Sequence, residues 1–434
     1  MHHLLVTIGS HGDTHPFIGL GARLRARGHR VTVAANDHFE PIIRAAGLDF
    51  AELGTAEEFR KALDLPDMWH PMKSFRTVFE AGILPLIRRT YDLIAEHYVP
   101  GETIVTAHAI AFGARIAQET LNIPLATIHL APSVLRSVHL APRFGNAPFI
   151  PYSPRFLLHA LWWIGDHFVA DPVLAAPINA VRAEFGLPPV KNIIKDWWLS
   201  PQRVIGLWPE WFGPFQPDWP AQLKLTGFPL YDERGVHELA PELSAFLHAG
   251  DPPIAFTFGS AMLHARKYFE AAADACQRLG RRGIFLTRHP QQIPPNLPAS
   301  VKHFDYAPFS ELLPRCAALV HHGGIGTTSQ ALASGVPQLV MPFAFDQHDN
   351  AARVKRLGVG AQIAPKRFRA AKVAKVLRQL LDDPGLPARC RTVAAKFNDH
   401  DPLGEACDLI EQLVSDSAVA GRSDLGKSPS PIPS

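Results

Sequence analysis

Two glycines and a threonine follow a short apolar stretch near residue 320. Gly324 and Gly326 let a ligand approach the backbone closely, and Thr327 stands where a helical segment begins. The N-terminus of a helix carries unpaired N–H groups and about half a positive charge, so it favours an anion. This turn is therefore a candidate site for a diphosphate.

Asp346 and Gln347 lie beyond the next predicted strand, residues 338–341. Gly335 ends the preceding helical segment and Pro337 prevents its continuation, so residues 319–350 predict one compact βαβ unit. Ligands of open α/β sheets bind outside the carboxyl ends of the strands. The Asp-Gln pair therefore lies where a ligand is expected.

A second polar loop, residues 9–16, follows the first predicted strand at 4–8. Gly9 and Gly12 are separated by only two residues, and the bulky His15 and Pro16 stand where a dinucleotide would need close backbone approach. The loop is not the Gly-x-Gly-x-x-Gly fingerprint, which argues against a nicotinamide or flavin enzyme.

The region from His322 to Gln347 resembles the donor-binding signature of family 1 nucleotide-sugar glycosyltransferases. In that family a His-x-Gly-x-x-Ser/Thr turn holds the diphosphate, the residue eight positions after the His holds the ribose, and an Asp-Gln pair twenty-four positions after it holds the sugar. The resemblance assigns the diphosphate to His322, Gly324, Gly326 and Thr327, the ribose to Gln330, and the sugar to Asp346 and Gln347.

Other stretches carry the same resemblance. Tyr306 and Ala307 match the aromatic start of the region, where a ring stacks on the nucleobase, and Ser260 matches a serine that contacts the donor phosphate. The runs LATIHLAPSVLRSVHLAP and LTGFPLYD are similar to rhamnosyltransferases of glycolipid synthesis and to bacterial UDP-glycosyltransferases. On the residues alone, Ser260 could equally be the N-cap of a helix.

Three positions depart from the family pattern. Gln330 stands where most members have an acid, and an amide binds ribose hydroxyls without the help of a charge. Tyr306 replaces the usual tryptophan. Asp13 stands where plant members have their catalytic histidine, and the strand at 103–108 offers His108 rather than a carboxylate to orient it.

The implied reaction needs a base, because the acceptor hydroxyl must lose its proton as it attacks the anomeric carbon. Asp13 is the first candidate. His15 is the rival, since an imidazole is the stronger base in water. The structural alternative is that Asp13 or Thr14 caps a helix beginning at Pro16.

The resemblance implies a GT-B fold of the α/β class, with two Rossmann-like doubly wound domains facing across a cleft. We expect an acceptor-binding domain at residues 1–235 and a nucleotide-sugar-binding domain at 236–402. A helix at 403–414 returns to the first domain, and the Ser/Pro-rich tail at 415–434 is disordered.

Composition excludes several other classes. The 43 basic and 40 acidic residues nearly balance and form no long basic block, so we expect no nucleic acid partner. The four cysteines and scattered histidines have no spacing typical of a metal site, so no metal is expected. No apolar run reaches 18 residues and no signal peptide is evident, which favours a cytoplasmic protein.

Residues 130–219 hold most of the tryptophans. An aromatic lining would favour an apolar acceptor, although core packing is the alternative for any one tryptophan. Residues 156–169 are also a candidate for weak contact with the inner face of a membrane. They lack the Lys/Arg-rich face that such helices usually carry.

The sequence therefore predicts an inverting, metal-independent hexosyltransferase. It would move glucose or rhamnose from a UDP- or dTDP-sugar to a hydroxyl of a small apolar or lipid acceptor, with the nucleotide sugar as co-substrate and no other cofactor. The alternatives are a nucleotide-sugar epimerase of the same fold and a non-catalytic partner protein that binds nucleotide sugars.

Overall fold

The computed structural model describes residues 1–70, 73–233, 239–398 and 400–424. Two parallel sheets organise these residues. One has seven strands in the order β3-β2-β1-β4-β5-β6-β7, and the other has six in the order β10-β9-β8-β11-β12-β13. The strands are β1 His2–Val6, β2 Arg30–Ala35, β3 Asp49–Glu52, β4 Thr103–His108, β5 Leu125–His129, β6 Arg203–Gly206, β7 Leu223–Leu225, β8 Ile254–Thr257, β9 Gly283–Leu286, β10 Val301–Phe304, β11 Ala318–His321, β12 Gln338–Val340 and β13 Gly360–Gln362.

Helices connect the strands and cover both faces of each sheet, which confirms the predicted pair of Rossmann-like units. They are α1 His11–Ala26, α2 Glu40–Ala45, α3 Ala56–Leu63, α4 Ser74–Val78, α5 Leu86–His97, α6 Phe112–Leu121, α7 Arg155–Gly165, α8 Asp171–Glu184, α9 Pro241–His248, α10 Arg266–Leu279, α11 Phe309–Leu312, α12 Ile325–Ala333, α13 Gln347–Arg356, α14 Ala370–Leu381, α15 Leu386–Ala395 and α16 Pro402–Asp424.

Burial on both faces explains the composition of the central strands. Leu4, Leu5 and Val6 of β1 are fully buried, as expected where helices cover a parallel sheet on each side. Leu4 and Val6 join the core beneath α5 and α6, and Leu5 joins the core beneath α1 and α16. Residues just after β1 and β9 meet across the cleft between the two units, since Nη1 of Arg288 lies 2.7 Å from Nε2 of His11.

The last helix packs on the first unit. Cys407 and Ile410 of α16 are buried in the same core as Leu20 and Leu24 of α1. The helix extends to Asp424, whereas the sequence predicts a disordered tail from residue 415. A packed helix propagates readily through an alanine-containing segment, because each added residue gains a hydrogen bond at little cost. Residues 425–434 and the predicted boundary at 235/236 lie outside the described residues.

Candidate functional site

The predicted diphosphate turn connects β11 to α12, and its histidine is held between glycines from two strand ends. A Cβ atom at Gly324 would lie 2.5 Å from Nε2 of His322, and one at Gly259 would lie 2.9 Å from it. Gly259 has a φ of +94°, which also favours glycine. Burial lowers the pKa of His322 to about 4, so this imidazole is neutral at pH 7 and can donate one hydrogen bond.

The first turn of α12 is open toward the cleft. Gly324 is the N-cap and no side chain caps the helix, so the first amides stay available. A Cβ built at Gly326 meets nothing within 4 Å, which leaves room above the turn for a ligand. Thr327 is half-buried in this turn, and Gln330 is buried one turn further on.

Ser260 follows the glycine beside His322. Its carbonyl oxygen lies 3.2 Å from Nε2 of His289, and α10 begins only at Arg266. Ser260 is therefore not the N-cap of that helix, and the structural alternative considered for it is wrong. Its position at the end of β8, next to β11, brings it to the same edge of the sheet as the turn.

Asp346 and Gln347 lie beside the turn, because Asn350 connects the two. The Asn350 side-chain amide donates to the Gly323 carbonyl at 2.9 Å and to Oδ2 of Asp346 at 2.7 Å. Oε1 of Gln347 accepts from the backbone N–H groups of Phe343 and Ala344, so the oxygen end of this side chain holds its own loop.

The Asp346 carboxyl group is partly buried. Burial raises its pKa to about 7, the hydrogen bond from Asn350 opposes that rise, and the negative charge of Asp13 adds to it. Asp13 belongs to the other unit, so the two carboxyl groups lie near enough across the cleft for their charges to interact. Phe345, just before Asp346, has a φ of +56°, a strained conformation for a bulky residue.

Asp13 lies in the first turn of α1, which begins at His11 rather than at Pro16. Its Oδ2 accepts from the Ser10 backbone N–H at 2.7 Å and from the Ser10 hydroxyl at 3.1 Å. A Cβ at Gly9 would lie 2.3 Å from this oxygen, so only glycine fits beneath it. Asp13 thus helps to close the helix N-terminus, as the alternative suggested, although that helix begins at His11.

His15 has a different neighbour. Its Nε2 lies 2.7 Å from Oε1 of Glu233, whose side chain is 1% exposed. The Tyr231 ring contacts the His15 ring edge-on at 5.8 Å between centroids. The rival base is therefore in an ion-pairing environment at the interdomain segment.

Tyr306 and Arg288 meet where the nucleobase was expected. The Arg288 guanidinium lies 4.9 Å from the centre of the Tyr306 ring, and its Nη1 lies 2.7 Å from Nε2 of His11. The Tyr306 hydroxyl donates to the Asp232 carbonyl, and Ala307, which follows it, is buried. One face of the ring is thus covered by an arginine that the sequence analysis missed, although its place just after β9 marked a strand end.

Most tryptophans of the aromatic segment are core residues rather than a cleft lining. Trp197, Trp198, Trp208 and Trp219 are all buried. The Trp208 and Trp219 indole N–H groups donate to the carbonyls of Gly213 and Leu135. Packing therefore explains these four.

Metal-ligand groups and membrane-spanning helices are both absent from the part of the chain that the structure describes. Within residues 1–70, 73–233, 239–398 and 400–424, no three His, Cys, Asp or Glu side chains are arranged to hold a metal ion. No helix in the same part of the chain is long and apolar enough to cross a bilayer.

Comparison with known proteins agrees with this geometry. Residues 3–140 match the glycosyltransferase family 28 N-terminal domain, and residues 284–410 match the C-terminal domain of erythromycin biosynthesis protein CIII-like proteins. O-mycaminosyltylonolide 6-deoxyallosyltransferase of Streptomyces fradiae is 30% identical over 96% of this chain and 98% of its own. Sterol 3-beta-glucosyltransferase UGT80A2 of Arabidopsis thaliana is 26% identical over 93% of this chain and 64% of its own.

A solved structure has the same fold. The glycosyltransferase VinC in complex with dTDP superposes with a TM-score of 0.67 at 18% identity, covering 96% of this chain and all of VinC. The fold is therefore GT-B. With the Streptomyces relative similar over nearly its whole length, the chain belongs to the antibiotic-type GT-B glycosyltransferases.

Proposed function

We propose that the protein is an inverting, metal-independent hexosyltransferase that moves glucose or rhamnose from a UDP- or dTDP-sugar to a hydroxyl of a small apolar or lipid acceptor. One observation carries the proposal: Asn350 ties Asp346 to the diphosphate turn, and the charge of Asp13 in the first unit acts on that Asp346 carboxyl group. A base, a sugar-binding carboxyl group and an anion site thus border the same cleft.

In this mechanism Asp13 accepts the proton of the acceptor hydroxyl. The acceptor oxygen forms a bond to the anomeric carbon while the bond to the diphosphate breaks, and the electron pair leaves with the nucleoside diphosphate. Attack from the side opposite the leaving group inverts the configuration. Oδ2 of Asp13 is fixed by two bonds from Ser10, so the carboxylate is already oriented before the acceptor arrives.

Charge that develops on the leaving diphosphate is stabilised by groups already in place. The open amides at the start of α12 and the neutral His322 donate hydrogen bonds to phosphate oxygens, and Ser260 and Thr327 add hydroxyl donors. These donors need little rearrangement, because glycines pack against the His322 ring.

Asp346, Gln347 and Gln330 complete the donor site. Asp346 and the amide nitrogen of Gln347 hold sugar hydroxyls, and Gln330 holds the ribose. The nucleobase lies against Tyr306 and Ala307. It also contacts Arg288, which covers one face of the Tyr306 ring. The sterol glucosyltransferase relative supports an apolar acceptor, and the dTDP complex of VinC supports a pyrimidine nucleotide.

The test combines binding with turnover. Thermal unfolding is measured with UDP, dTDP, UDP-glucose, dTDP-rhamnose and NAD, since a ligand at about a hundred times its Kd stabilises the fold by roughly 2.7 kcal/mol. Release of nucleoside diphosphate is then followed with and without hydroxylated acceptors. We expect stabilisation by UDP or dTDP but not by NAD, and release that requires an acceptor.

Three results would contradict the proposal. No stabilisation by either diphosphate would remove the donor site. Conversion of the donor without an acceptor would indicate an epimerase. Binding of the donor with no turnover on any acceptor would indicate a non-catalytic partner protein.

A further inference from the structure

The outer surface of residues 149–169 is rich in exposed aromatic rings. Of the fourteen large apolar side chains that are exposed in the described residues, eight lie in this segment. We call its five rings the aromatic patch: Phe149, Tyr152, Phe156, Trp163 and Phe168, which are between 54% and 77% exposed. One aromatic side chain has roughly 150–250 Å² of surface, so the patch presents at least about 400 Å². Apolar patches of this size on soluble proteins commonly have a function.

The rings are presented by packed structure. Leu158 of α7 is buried with Val138 and Ile150, so the helix is anchored on its inner side. Trp163 stacks on His167, which lies in the π-helical turn Asp166–Ala170 after α7, with ring centroids 5.2 Å apart. The aromatic patch is therefore a fixed feature of the surface.

Within residues 136–169, positive charge is exposed and negative charge is not. Asp166 is the only acidic residue in the range 136–169; its side chain is 6% exposed, and it pairs with Arg136. Arg155 is exposed at the start of α7. Arg143 donates to the Tyr152 hydroxyl at 3.1 Å and lies over its ring. Arg155 and Arg143 thus supply the positive charge that residues 156–169 lack in sequence.

One edge of the aromatic patch adjoins the cleft. The Arg143 backbone N–H donates to Oδ1 of Asp349 at 3.0 Å. Gly145 lies directly on the His348 ring, since a Cβ there would be 2.2 Å from Nε2. His348 and Asp349 follow Gln347 in α13, so the surface reaches the end of the cleft that holds the Asp346-Gln347 pair.

We propose that the aromatic patch rests this face of the protein on an anionic lipid bilayer. Aromatic rings are favoured at the headgroup level, and Arg143 and Arg155 match the charge of anionic headgroups. Such docking brings the mouth of the cleft to the membrane surface. There the cleft could receive a lipid acceptor from the bilayer, and this delivery is the one step that rests on the proposed function.

The test is sedimentation of the full-length protein with vesicles in the absence of donor and acceptor. Vesicles of equal parts phosphatidylglycerol and phosphatidylcholine are compared with phosphatidylcholine alone. The triple variant Phe156→Ser, Trp163→Ser, Phe168→Ser removes three exposed rings. The control is Val99→Ser, which changes a 45% exposed residue near the opposite, amino end of β4. Thermal unfolding and nucleoside diphosphate affinity verify that each variant is folded.

We expect the wild type and Val99→Ser to sediment with the anionic vesicles, and the triple variant to bind them at least about tenfold more weakly. Arg155→Glu should weaken binding to the anionic vesicles but not to phosphatidylcholine. Wild type that stays in solution, or a folded triple variant that binds as wild type does, would overturn the proposal. A dimer that the triple variant abolishes would assign the patch to a second copy and overturn it too. Wild type that binds no nucleoside diphosphate but still sediments with anionic vesicles would contradict the proposed function and leave the docking proposal standing.

Discussion

Asn350 is the residue that makes one site from two sequence motifs. Its amide bonds both Gly323 in the diphosphate turn and the carboxyl group of Asp346. Asn350 is fully buried, so neither bond competes strongly with water. A single side chain thus fixes the distance between the proposed sites for phosphate and sugar.

Asp346→Asn should weaken binding of the nucleotide sugar by about 1.5–3 kcal/mol, because hydroxyl groups lose a charged acceptor. Affinity for the nucleoside diphosphate alone should not change, since the turn is intact. Titration calorimetry with each ligand separates the two. An equal loss for both ligands would show that Asp346 supports the turn instead of the sugar.

The raised pKa of Asp346 predicts that donor binding depends on pH. With a pKa of about 7, Asp346 becomes ionised as the pH rises from 6 to 8. Only the ionised form accepts hydrogen bonds with both oxygens, so the KM for the donor should fall over this range. Asp346→Asn should remove that dependence, and a wild-type KM independent of pH would contradict the assignment.

At the scale of elements, the start of α12 combines a helix N-terminus with glycines that serve different purposes. Gly324 makes room for the His322 ring, whereas Gly326 borders open space. Gly326→Ala should therefore raise the free energy of unfolding by up to about 1 kcal/mol, because alanine is the better helix former. It should also lower affinity for the diphosphate, since the new methyl group occupies the ligand's space.

Denaturant unfolding and nucleotide titration of Gly326→Ala measure the two effects. Gly324→Ala is the matched comparison, and it should lower both stability and affinity because its Cβ would overlap His322. Unchanged nucleotide affinity in Gly326→Ala would mean that the phosphates do not lie above this turn.

The elements differed in how well the sequence predicted them. Strand β4 has the predicted ends, 103 and 108, since an apolar run bounded by turn residues defines it. The short strands β6 and β7, of four and three residues, were missed within the aromatic segment, because such lengths carry no clear periodicity. The start of α1 was placed five residues late, since Pro16 was taken as its first turn.

The sequence motifs locate the glycine turn and the Asp-Gln pair. They do not predict contacts between distant segments of the chain. His15 and Glu233 are 218 positions apart, and nothing local to either residue indicates their contact. Arg288 over Tyr306 and Asn350 between the two motifs likewise depend on how strands are ordered in space. Such contacts follow from the tertiary arrangement, which spacing alone does not specify.

At the scale of the whole molecule, a buried charge pair links the two units. Asp349 accepts from the Arg143 backbone N–H and from Nε of Arg353. Arg353 in turn donates to the Phe212 carbonyl of the other unit. Both charged side chains are nearly buried, at 5% and 6% exposed. Loss of the carboxylate would therefore leave an uncompensated arginine between the units.

Asp349→Ala should lower the free energy of unfolding by about 3–5 kcal/mol. The control is Glu57→Ala, which removes an exposed ion pair with Lys61 and should change the free energy of unfolding far less. Urea unfolding measures both. A similar small loss for the two variants would mean that Asp349 does not hold the units together.

Buried histidines predict how the stability of the whole protein changes with pH. Burial lowers the pKa of His2 and His322 to about 4, and that of His3, His129 and His321 to about 3. Between these values and about 6.5 the unfolded chain binds protons that the folded one does not. Stability should therefore fall as the pH drops below about 6.5, by at most about 1.4 kcal/mol per group and pH unit. Asp346, whose pKa is raised, acts in the opposite direction, but it is one group against five.

Denaturant unfolding at pH 7, 6 and 5 measures this effect. We expect the free energy of unfolding to fall by several kcal/mol across the range, in line with this linkage. A value that stays constant or rises toward pH 5 would show that the buried histidines are not neutral in the folded protein.

The most direct test of the account is the transfer rate of Asp13→Asn, measured with its nucleoside diphosphate affinity on the same preparation. If Asp13 is the general base, we expect kcat to fall by about 10²–10⁴-fold, the usual contribution of such a group. Affinity should remain near that of the wild type, because the diphosphate turn belongs to the other unit. An Asn variant that still transfers sugar at close to the wild-type rate would contradict the account and move the base to His15.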